Sequence, residues 1–290
     1  MKIYKESPSQ AGRIMPTAKG FSITEKQVSK LAELLDKVKL TEKQAIERDD
    51  LAAKLENSKL PSPLSEGAKT RVQEKFLQDN FQIKKEFWSK ETDKGNETED
   101  ESIKLYGKVS GIFGIKKNEK TFENDFFIGT PDVVTNDSVI DIKTAWDGST
   151  FPWFADELPT TAYFYQIQSY LHLTGLKKGF VAYCLTNAND DMVQDEVRRD
   201  AWRQKLIDPT DEQLEEIEKK VYSQMTFDRI PDELRVKIFA IDYDPRVIET
   251  MIERVLECRK YYDVLNGQIK DRLINGRENL LNKNRILNLT

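Results

Sequence analysis

The sequence predicts an α/β fold, because short β-branched runs alternate with stretches of helical periodicity. Residues 129–144 have the pattern of two strands joined by a tight turn. A helix is predicted from residue 163, and another strand lies within residues 175–187. A strand that runs into a long helix is predicted within residues 235–265.

The first third of the chain is predicted to be helical. Residues 22–39 and 41–56 are amphipathic, and each stretch opens with Ser or Thr close to Glu, in the manner of a capping box. A third helix is predicted to begin at Ser65, a suitable N-cap that follows Pro63. We therefore expect an N-terminal helical extension over residues 1–60 and a core domain over residues 61–290.

Two segments are predicted to interrupt that core. Residues 91–101, ETDKGNETEDE, are so rich in charge that we expect a mobile acidic loop or a disordered insertion. Residues 207–235 are predicted to form a helical insertion between core strands.

Composition excludes several classes of protein. Charged residues make up 33% of the chain, and no apolar run approaches the roughly 18 residues of a membrane span. The opening MKIYKESPSQ lacks the hydrophobic region of a signal peptide, so a cytoplasmic location is expected. Cys184 and Cys258 form no metal-spaced set, and His172 is the only histidine, which excludes histidine-based triads and zinc sites.

The most informative stretch is GTPDVVTNDSVIDIKT, residues 129–144. Asn136 and Asp137 suit a two-residue hairpin loop, since both residue types tolerate positive φ. Such a loop places Val133 opposite Ile140. One face of the predicted hairpin is apolar and carries Val133, Ile140 and Ile142.

The other face carries Asp132, Asp141 and Lys143. Asp132 falls opposite Asp141, with Cβ atoms about 4.5–5.5 Å apart, a repulsive pair unless a cation lies between them. Lys143 follows on the same face, about 6–7 Å further along the strand. Magnesium suits this pair, because it binds one or two carboxylates, keeps several waters and takes phosphate oxygens. The lysine can then position an attacking water and offset charge on a phosphate. The alternative is a surface hairpin with an ordinary ion pair, which the flanking apolar runs disfavour.

Pro131-Asp132 followed by Asp141-Ile142-Lys143 resembles the signature of the PD-(D/E)xK nuclease superfamily. The surrounding residues are similar to its phage-type exonuclease branch, which includes lambda-type exonucleases, YqaJ-type viral recombinases and RecB-like nuclease domains. The resemblance implies a restriction-endonuclease-like core with a mixed central sheet flanked by helices. It also implies that Asp132, Asp141 and the Ile142 carbonyl bind Mg²⁺, for which Mn²⁺ substitutes, and that Lys143 is catalytic.

A second motif supports the first. RecB-like nucleases follow the lysine with a helix that carries QxxxY, and this chain has Gln166 and Tyr170 at that spacing. The two residues share a helix face, so Gln166 could bond the attacking water or Lys143, while Tyr170 could brace the site or contact DNA. Gln168 lies about 200° around the helix and is a weaker candidate.

The resemblance also implies a glutamate from an upstream helix. Glu74 is the predicted third carboxylate and is assigned to catalysis and metal binding, with Glu66 as the alternative. Either residue could instead be a solvated helix charge. Arg13 and Trp146 join Tyr170 as candidate DNA contacts. For the aromatic residues that follow Lys143, packing of their loop onto the core is the favoured interpretation.

Taken together, the motifs predict a magnesium-dependent DNA exonuclease of the phage type that acts in recombination or replication. A structure-selective endonuclease or resolvase, a restriction enzyme and a catalytically silent DNA-binding or assembly protein are the alternatives. The resemblance implies DNA as a partner, together with a single-strand annealing or single-strand-binding protein, and it leaves an oligomer open. If the protein is phage-encoded, its location is the host cytoplasm. The net charge of −5 leaves DNA binding to a local basic groove.

Overall fold

The computed structural model describes residues 2–60, 63–85 and 89–287, with side chains as far as residue 275. The chain divides into two compact units. The sheet unit comprises Ser7–Ser9 and Glu86–Ile248, and the helical unit comprises Met1–Glu6, Gln10–Lys85 and Glu249–Thr290. This division differs from the predicted boundary after residue 60. Residue 61, where the predicted core begins, lies outside the described residues.

In the part of the chain that the structure describes, six helices precede the first strand, and helices and strands are interspersed in the rest. The helices are α1 (Pro8–Ile14), α2 (Glu25–Leu35), α3 (Glu42–Asn57), α4 (Glu66–Phe81), α5 (Lys90–Glu97), α6 (Glu99–Ser110), α7 (Thr161–Thr174), α8 (Asp190–Arg203), α9 (Asp211–Met225) and α10 (Pro245–Leu287). The strands are β1 (Phe122–Glu123), β2 (Ile128–Gly129), β3 (Val133–Val134), β4 (Ser138–Thr144), β5 (Lys178–Cys184) and β6 (Val236–Asp242). Within the described residues, no helix has both the length and the apolar character needed to cross a membrane.

The helical unit explains why the predicted boundary is displaced. Ser65 caps α4 by accepting a hydrogen bond from the Ala68 amide, as the sequence predicts. The buried face of α4 includes Phe76, whose ring meets that of Tyr262 on α10 edge-on at 5.1 Å. Helix α4 therefore buries its apolar face within the helical unit, which contains both the N-terminal helices and the part of α10 that carries Tyr262.

A buried ion pair stabilises the helical unit. Arg71 on α4 donates to both carboxylate oxygens of Glu6, and its Nη2 lies 2.5 Å from Oε1. The Glu6 carboxylate also accepts a hydrogen bond from the Tyr4 hydroxyl, and its side chain is 0% exposed. Removing one partner of such a pair leaves a buried charge uncompensated.

Replacing Arg71 by Met is expected to lower the free energy of unfolding by about 3–5 kcal/mol, because Glu6 loses its arginine partner. Urea denaturation followed by circular dichroism measures the change. The double variant Glu6→Gln, Arg71→Met should recover much of the loss, since no buried charge then remains in the pair. An equally large loss in the double variant would contradict this explanation.

The sheet unit contains a four-stranded mixed sheet in the order β3-β4-β5-β6. The β3–β4 and β5–β6 pairs are antiparallel, whereas β4 and β5 are parallel. The parallel pair requires a crossover, which α7 supplies. The short strands β1 and β2 form a separate two-stranded sheet.

Helices pack on both faces of the mixed sheet. One face of the hairpin buries Ile140 and Ile142 against Ile103 of α6 and its neighbours. The other face buries Val139 against Ile167 of α7. The predicted alternation along β4 is therefore confirmed, and Asp141 and Lys143 lie on the α7 side of the strand.

Residues 91–101 are helical, so the prediction of an acidic loop or disordered insertion is wrong. The side chain of Ser89 caps α5 by accepting from the Thr92 amide, and α6 ends at Gly111, whose φ is 72°. Ile103 and Tyr106 of α6 pack into the sheet core. Burial of this apolar stripe stabilises α6. The acidic residues in the first turns of α5 and α6 add to this, since negative charge is favourable at a helix N-terminus.

Residues 207–235 contain α9 and a 3-10 helix, Asp232–Leu234. The buried side of α9 packs with that of α8 in one apolar cluster, where Val221 and Met225 meet Val193 and Val197. This hairpin of two helices lies between β5 and β6 in the chain.

Candidate active site

The β3–β4 hairpin has the register that the sequence predicts. Val133 pairs with Ile140, and the Thr135 amide donates to the Ser138 carbonyl at 2.9 Å. The expected positive φ is absent at Asn136 and Asp137. The Thr135 hydroxyl instead closes the turn, since it accepts from the Ser138 amide at 3.0 Å and donates to Asp137.

The hairpin brings the two predicted carboxylates together. Asp141 is 1% exposed, and the Oδ2 atom of Asp132 accepts a hydrogen bond of 2.7 Å from the Ile142 amide. Burial and the charge of Asp141 raise the pKa of Asp132 to about 7. Burial likewise raises the pKa of Asp141. A cation would stabilise the ionised form of this pair.

Lys143 lies beside the carboxylates. Its Nζ is 2.8 Å from Oδ2 of Asp141 and 4.6 Å from the ring centre of Tyr163. Burial opposes the charged form of Lys143, but the Asp141 carboxylate overcomes it and raises the lysine pKa. The ammonium is thus held between a carboxylate and an aromatic ring.

Helix α7 supplies the QxxxY residues to the same place. The amide of Gln166 donates to Oδ1 of Asp141 at 2.7 Å, whereas the sequence suggested a bond to water or to Lys143. The Tyr170 hydroxyl donates to the Thr130 carbonyl at 3.1 Å, which braces the segment before Asp132. Gln168 faces away from this site, since it bonds the Asp242 carbonyl and the Asp244 amide.

These residues line a cavity of about 560 Å³ within the sheet unit. The end of β4 forms its floor, and α7 contributes Tyr163, Gln166 and Tyr170 to one wall. The α5–α6 segment forms a second wall, with Gly95 and Glu99 among its lining residues. The cavity therefore combines carboxylates, one lysine and several aromatic rings.

Glu99, the first residue of α6, is a cavity residue that the sequence analysis did not predict. Its carboxylate lines the cavity, forms an ion pair of 2.5 Å with Lys117, and contributes to the raised pKa values of Asp132 and Asp141. The signal lay in the apolar spacing of Ile103 and Tyr106, which marks a helix that begins near Glu99.

The predicted upstream glutamates belong to the helical unit. Glu74 accepts a hydrogen bond of 2.7 Å from Arg13, and this partner lowers the pKa of the Glu74 carboxyl. Arg13, a predicted DNA contact, also bonds Gln10. Glu66 is exposed and pairs with Lys69 at 2.7 Å. The roles of Glu74 and Arg13 remain predictions.

The aromatic residues after Lys143 are packed for the most part. Trp146 is 8% exposed and lies in the core cluster shared with α8 and α9, although its edge reaches the cavity. Phe151 and Trp153 pack together at 4.8 Å. Phe154 is 95% exposed. A DNA contact by Trp146 remains a prediction.

The donor set fits a hard divalent ion. Among the residues that the structure describes, no group of three or more His, Cys, Asp or Glu side chains is arranged to hold a metal. However, Oδ2 of Asp141 is buried and makes no hydrogen bond of normal geometry, even though Lys143 lies close to it. Two carboxylates and a carbonyl suit magnesium, which keeps most of its waters.

Comparisons with known proteins bear on the fold. No family model matches the chain, and no curated protein matches it. The crystal structure of a phage-related exonuclease from Haemophilus somnus 129PT superposes with a TM-score of 0.62 at 23% identity, over 92% of this chain and 97% of that one. An alkaline exonuclease from Laribacter hongkongensis gives a TM-score of 0.53 at 12% identity, over 93% of this chain and 94% of that one.

The chain has the fold of these exonucleases. The predicted α/β class, with a mixed sheet flanked by helices, is confirmed. The resemblance inferred from two short motifs is confirmed as a likeness of fold that extends over almost the whole chain.

Proposed function

We propose that this protein is a metal-dependent DNA exonuclease of the phage type, which hydrolyses phosphodiester bonds in recombination or replication. The proposal rests on one observation above all: Asp132, Asp141 and Lys143 meet in one cavity, on the face of the sheet that α7 covers. The exonuclease fold supports the same assignment.

Each residue has a task that follows from its position. Asp132 and Asp141, with the Ile142 carbonyl, would hold Mg²⁺ or Mn²⁺. Glu99 lines the same cavity and is the proposed further carboxylate. When bound, the metal supplies a polarised water and charge stabilisation at the phosphate. Gln166 orients Asp141 through its amide donor, and Lys143 holds a positive charge beside the reacting phosphate.

We further propose DNA as the substrate and a single-strand annealing or single-strand-binding protein as a partner, acting in the cytoplasm. This part of the proposal rests on the family resemblance of the sequence motifs. Co-purification of the partner with the tagged protein, resistant to nuclease treatment, would support it. The proposal is compatible with an oligomer, and light scattering measures the oligomeric state.

The central test uses end-labelled linear duplex DNA and covalently closed circles, in Mg²⁺ and in EDTA. Shortening of the linear DNA alone, and only in Mg²⁺, is the expected result. Cutting of circles would favour the structure-selective endonuclease instead. Binding of DNA with no cleavage of either substrate would favour the catalytically silent protein.

Glu99 and Glu74 are the two candidates for the third carboxylate, and substitutions distinguish between them. Glu99→Gln is expected to lower the cleavage rate by about 10²-fold or more, because a carboxylate is lost from the cavity wall. Initial rates measured beside Glu74→Gln decide between the two. A loss confined to Glu74→Gln would restore the assignment made from the sequence.

Tyr163 is expected to hold Lys143 through its ring rather than its hydroxyl. Tyr163→Leu should lower kcat roughly 2- to 30-fold, in line with a partly desolvated cation–π contact of about 0.5–2 kcal/mol. Tyr163→Phe keeps the ring and should cleave at nearly the wild-type rate, with KM for DNA unchanged in both variants. Equal losses in the two variants would assign the effect to the hydroxyl.

A further inference from the structure

Lys94 on α5 is a buried charge that the proposed reaction does not use. Its side chain is 0% exposed, and it is the only lysine with a fully buried side chain in the described part of the chain. Burial lowers its pKa to about 8, with Asp147 opposing the shift. Placing an ammonium group in such surroundings is costly unless its donors are satisfied.

The contacts of Lys94 show what offsets that cost. Its Nζ donates to the carbonyl of Ala145 at 3.0 Å and to that of Trp146 at 2.8 Å. It also lies 5.3 Å from the ring centre of Phe227. Both carbonyls belong to the segment directly after β4, so one side chain ties α5 to the end of the strand that carries Asp141 and Lys143.

Neighbouring contacts extend the same connection. Lys90, one turn earlier on α5, places its Nζ 4.5 Å from the ring centre of Trp146. The Thr98 hydroxyl donates to the Lys94 carbonyl at 2.8 Å, which fixes the junction between α5 and α6. Ser102 of α6 bonds the hydroxyl of Thr144, the last residue of β4, at 2.8 Å.

Other residues of α5 face the cavity. Glu91, Thr92, Gly95 and Asn96 line it, and Glu99 follows at the start of α6. The positions of these residues relative to β4 therefore depend on how α5 is held against the end of the strand. Lys94 supplies the two hydrogen bonds from α5 that reach the backbone of that segment.

We propose that Lys94 is a positioning residue, which fixes the α5–α6 wall and its Glu99 carboxylate beside Asp141 and Lys143. The inference deepens the proposed nuclease function and rests on it for its catalytic consequence. Its structural consequence is independent of the reaction. Without the Lys94 ammonium, the Ala145 and Trp146 carbonyls lose its hydrogen bonds. The α5–α6 wall then shifts relative to the end of β4.

The test compares Lys94→Met with Lys104→Met, the same change at an exposed lysine on α6. Mn²⁺ affinity by titration calorimetry, kcat and KM for DNA, and hydrogen exchange at the amides of residues 144–148 are measured on the full chain. Lys94→Met should weaken Mn²⁺ binding and lower kcat by about tenfold or more, as misplaced groups do, with KM little changed. Exchange at residues 144–148 should accelerate while β5 stays protected. Lys104→Met should match the wild type.

Wild-type Mn²⁺ affinity, kcat and exchange in folded Lys94→Met would overturn the inference. If the Met variant fails to fold, Lys94→Gln retains a neutral donor, and smaller changes in the same quantities are expected. Wild-type values in a folded Gln variant would likewise overturn it. If the wild type cleaves no DNA, the proposed function fails, whereas exchange at residues 144–148 still tests Lys94.

Discussion

Asp141→Asn is expected to lower DNA cleavage by about 10³-fold or more, the largest effect of any single substitution at this site. Asp141 is central to the cavity, because its carboxylate accepts a hydrogen bond from the Gln166 amide and forms an ion pair with the Lys143 ammonium. Asn has almost the same shape but no charge, so it removes the proposed metal ligand without opening a void. Initial rates of nucleotide release from linear duplex DNA measure the loss.

Asp137→Asn is the matched control for this variant. It makes the same change in the exposed turn of the same hairpin, where Asp137 bonds the Thr135 hydroxyl. This control should cleave DNA at the wild-type rate and bind Mn²⁺ with wild-type affinity. Calorimetry should show that Asp141→Asn does not bind Mn²⁺ with the affinity of the wild type. Unimpaired cleavage by Asp141→Asn would remove the basis of the proposed active site.

Lys143→Met is expected to lower the cleavage rate by about 10²- to 10³-fold, because the positive charge beside the reacting phosphate is lost. It should also destabilise the metal-free protein by an amount on the order of 3 kcal/mol, since the buried Asp141 then loses its cationic partner. Met keeps the volume of the lysine stem. Thermal unfolding in EDTA and in Mg²⁺ measures the second effect.

Mg²⁺ should restore part of the lost stability of Lys143→Met, because a ligand that binds only the folded state stabilises it. Lys178→Met provides the control, as it changes an exposed lysine on the neighbouring strand β5. Its cleavage rate and its unfolding temperature should follow those of the wild type. Equal destabilisation of Lys143→Met in EDTA and in Mg²⁺ would count against a metal site at Asp132 and Asp141.

The hairpin could be predicted because its determinants are local. A run of β-branched residues, a two-residue loop and the strand period of two suffice to pair Val133 with Ile140. The same period places Asp141 and Lys143 on one face. Even there, the turn itself escaped prediction, since the Thr135 hydroxyl rather than a positive φ at Asn136 closes it.

The α5–α6 wall was not predicted, because the acidic composition of residues 91–101 outweighed the apolar spacing of Ile103 and Tyr106. The acidic residues of 91–101 resemble a solvated segment, and the apolar residues that stabilise α6 lie beyond it. Whether such a segment folds depends on the surface that its apolar stripe meets. Lys94 can be buried because the carbonyls of Ala145 and Trp146 accept hydrogen bonds from its ammonium group. The sequence does not show that these residues lie beside it.

By itself, the sequence determined the α/β class, the hairpin register and the carboxylate and lysine set, since each depends on residues close together in the chain. The QxxxY motif predicted Gln166, but only the tertiary structure decided which group it bonds and which other distant residues complete the cavity. Gln166 bonds Asp141 across 25 positions, and Glu99 reaches the site from a helix that composition concealed. Long-range packing selects these partners, and a local sequence pattern does not specify which helix face packs against a given strand.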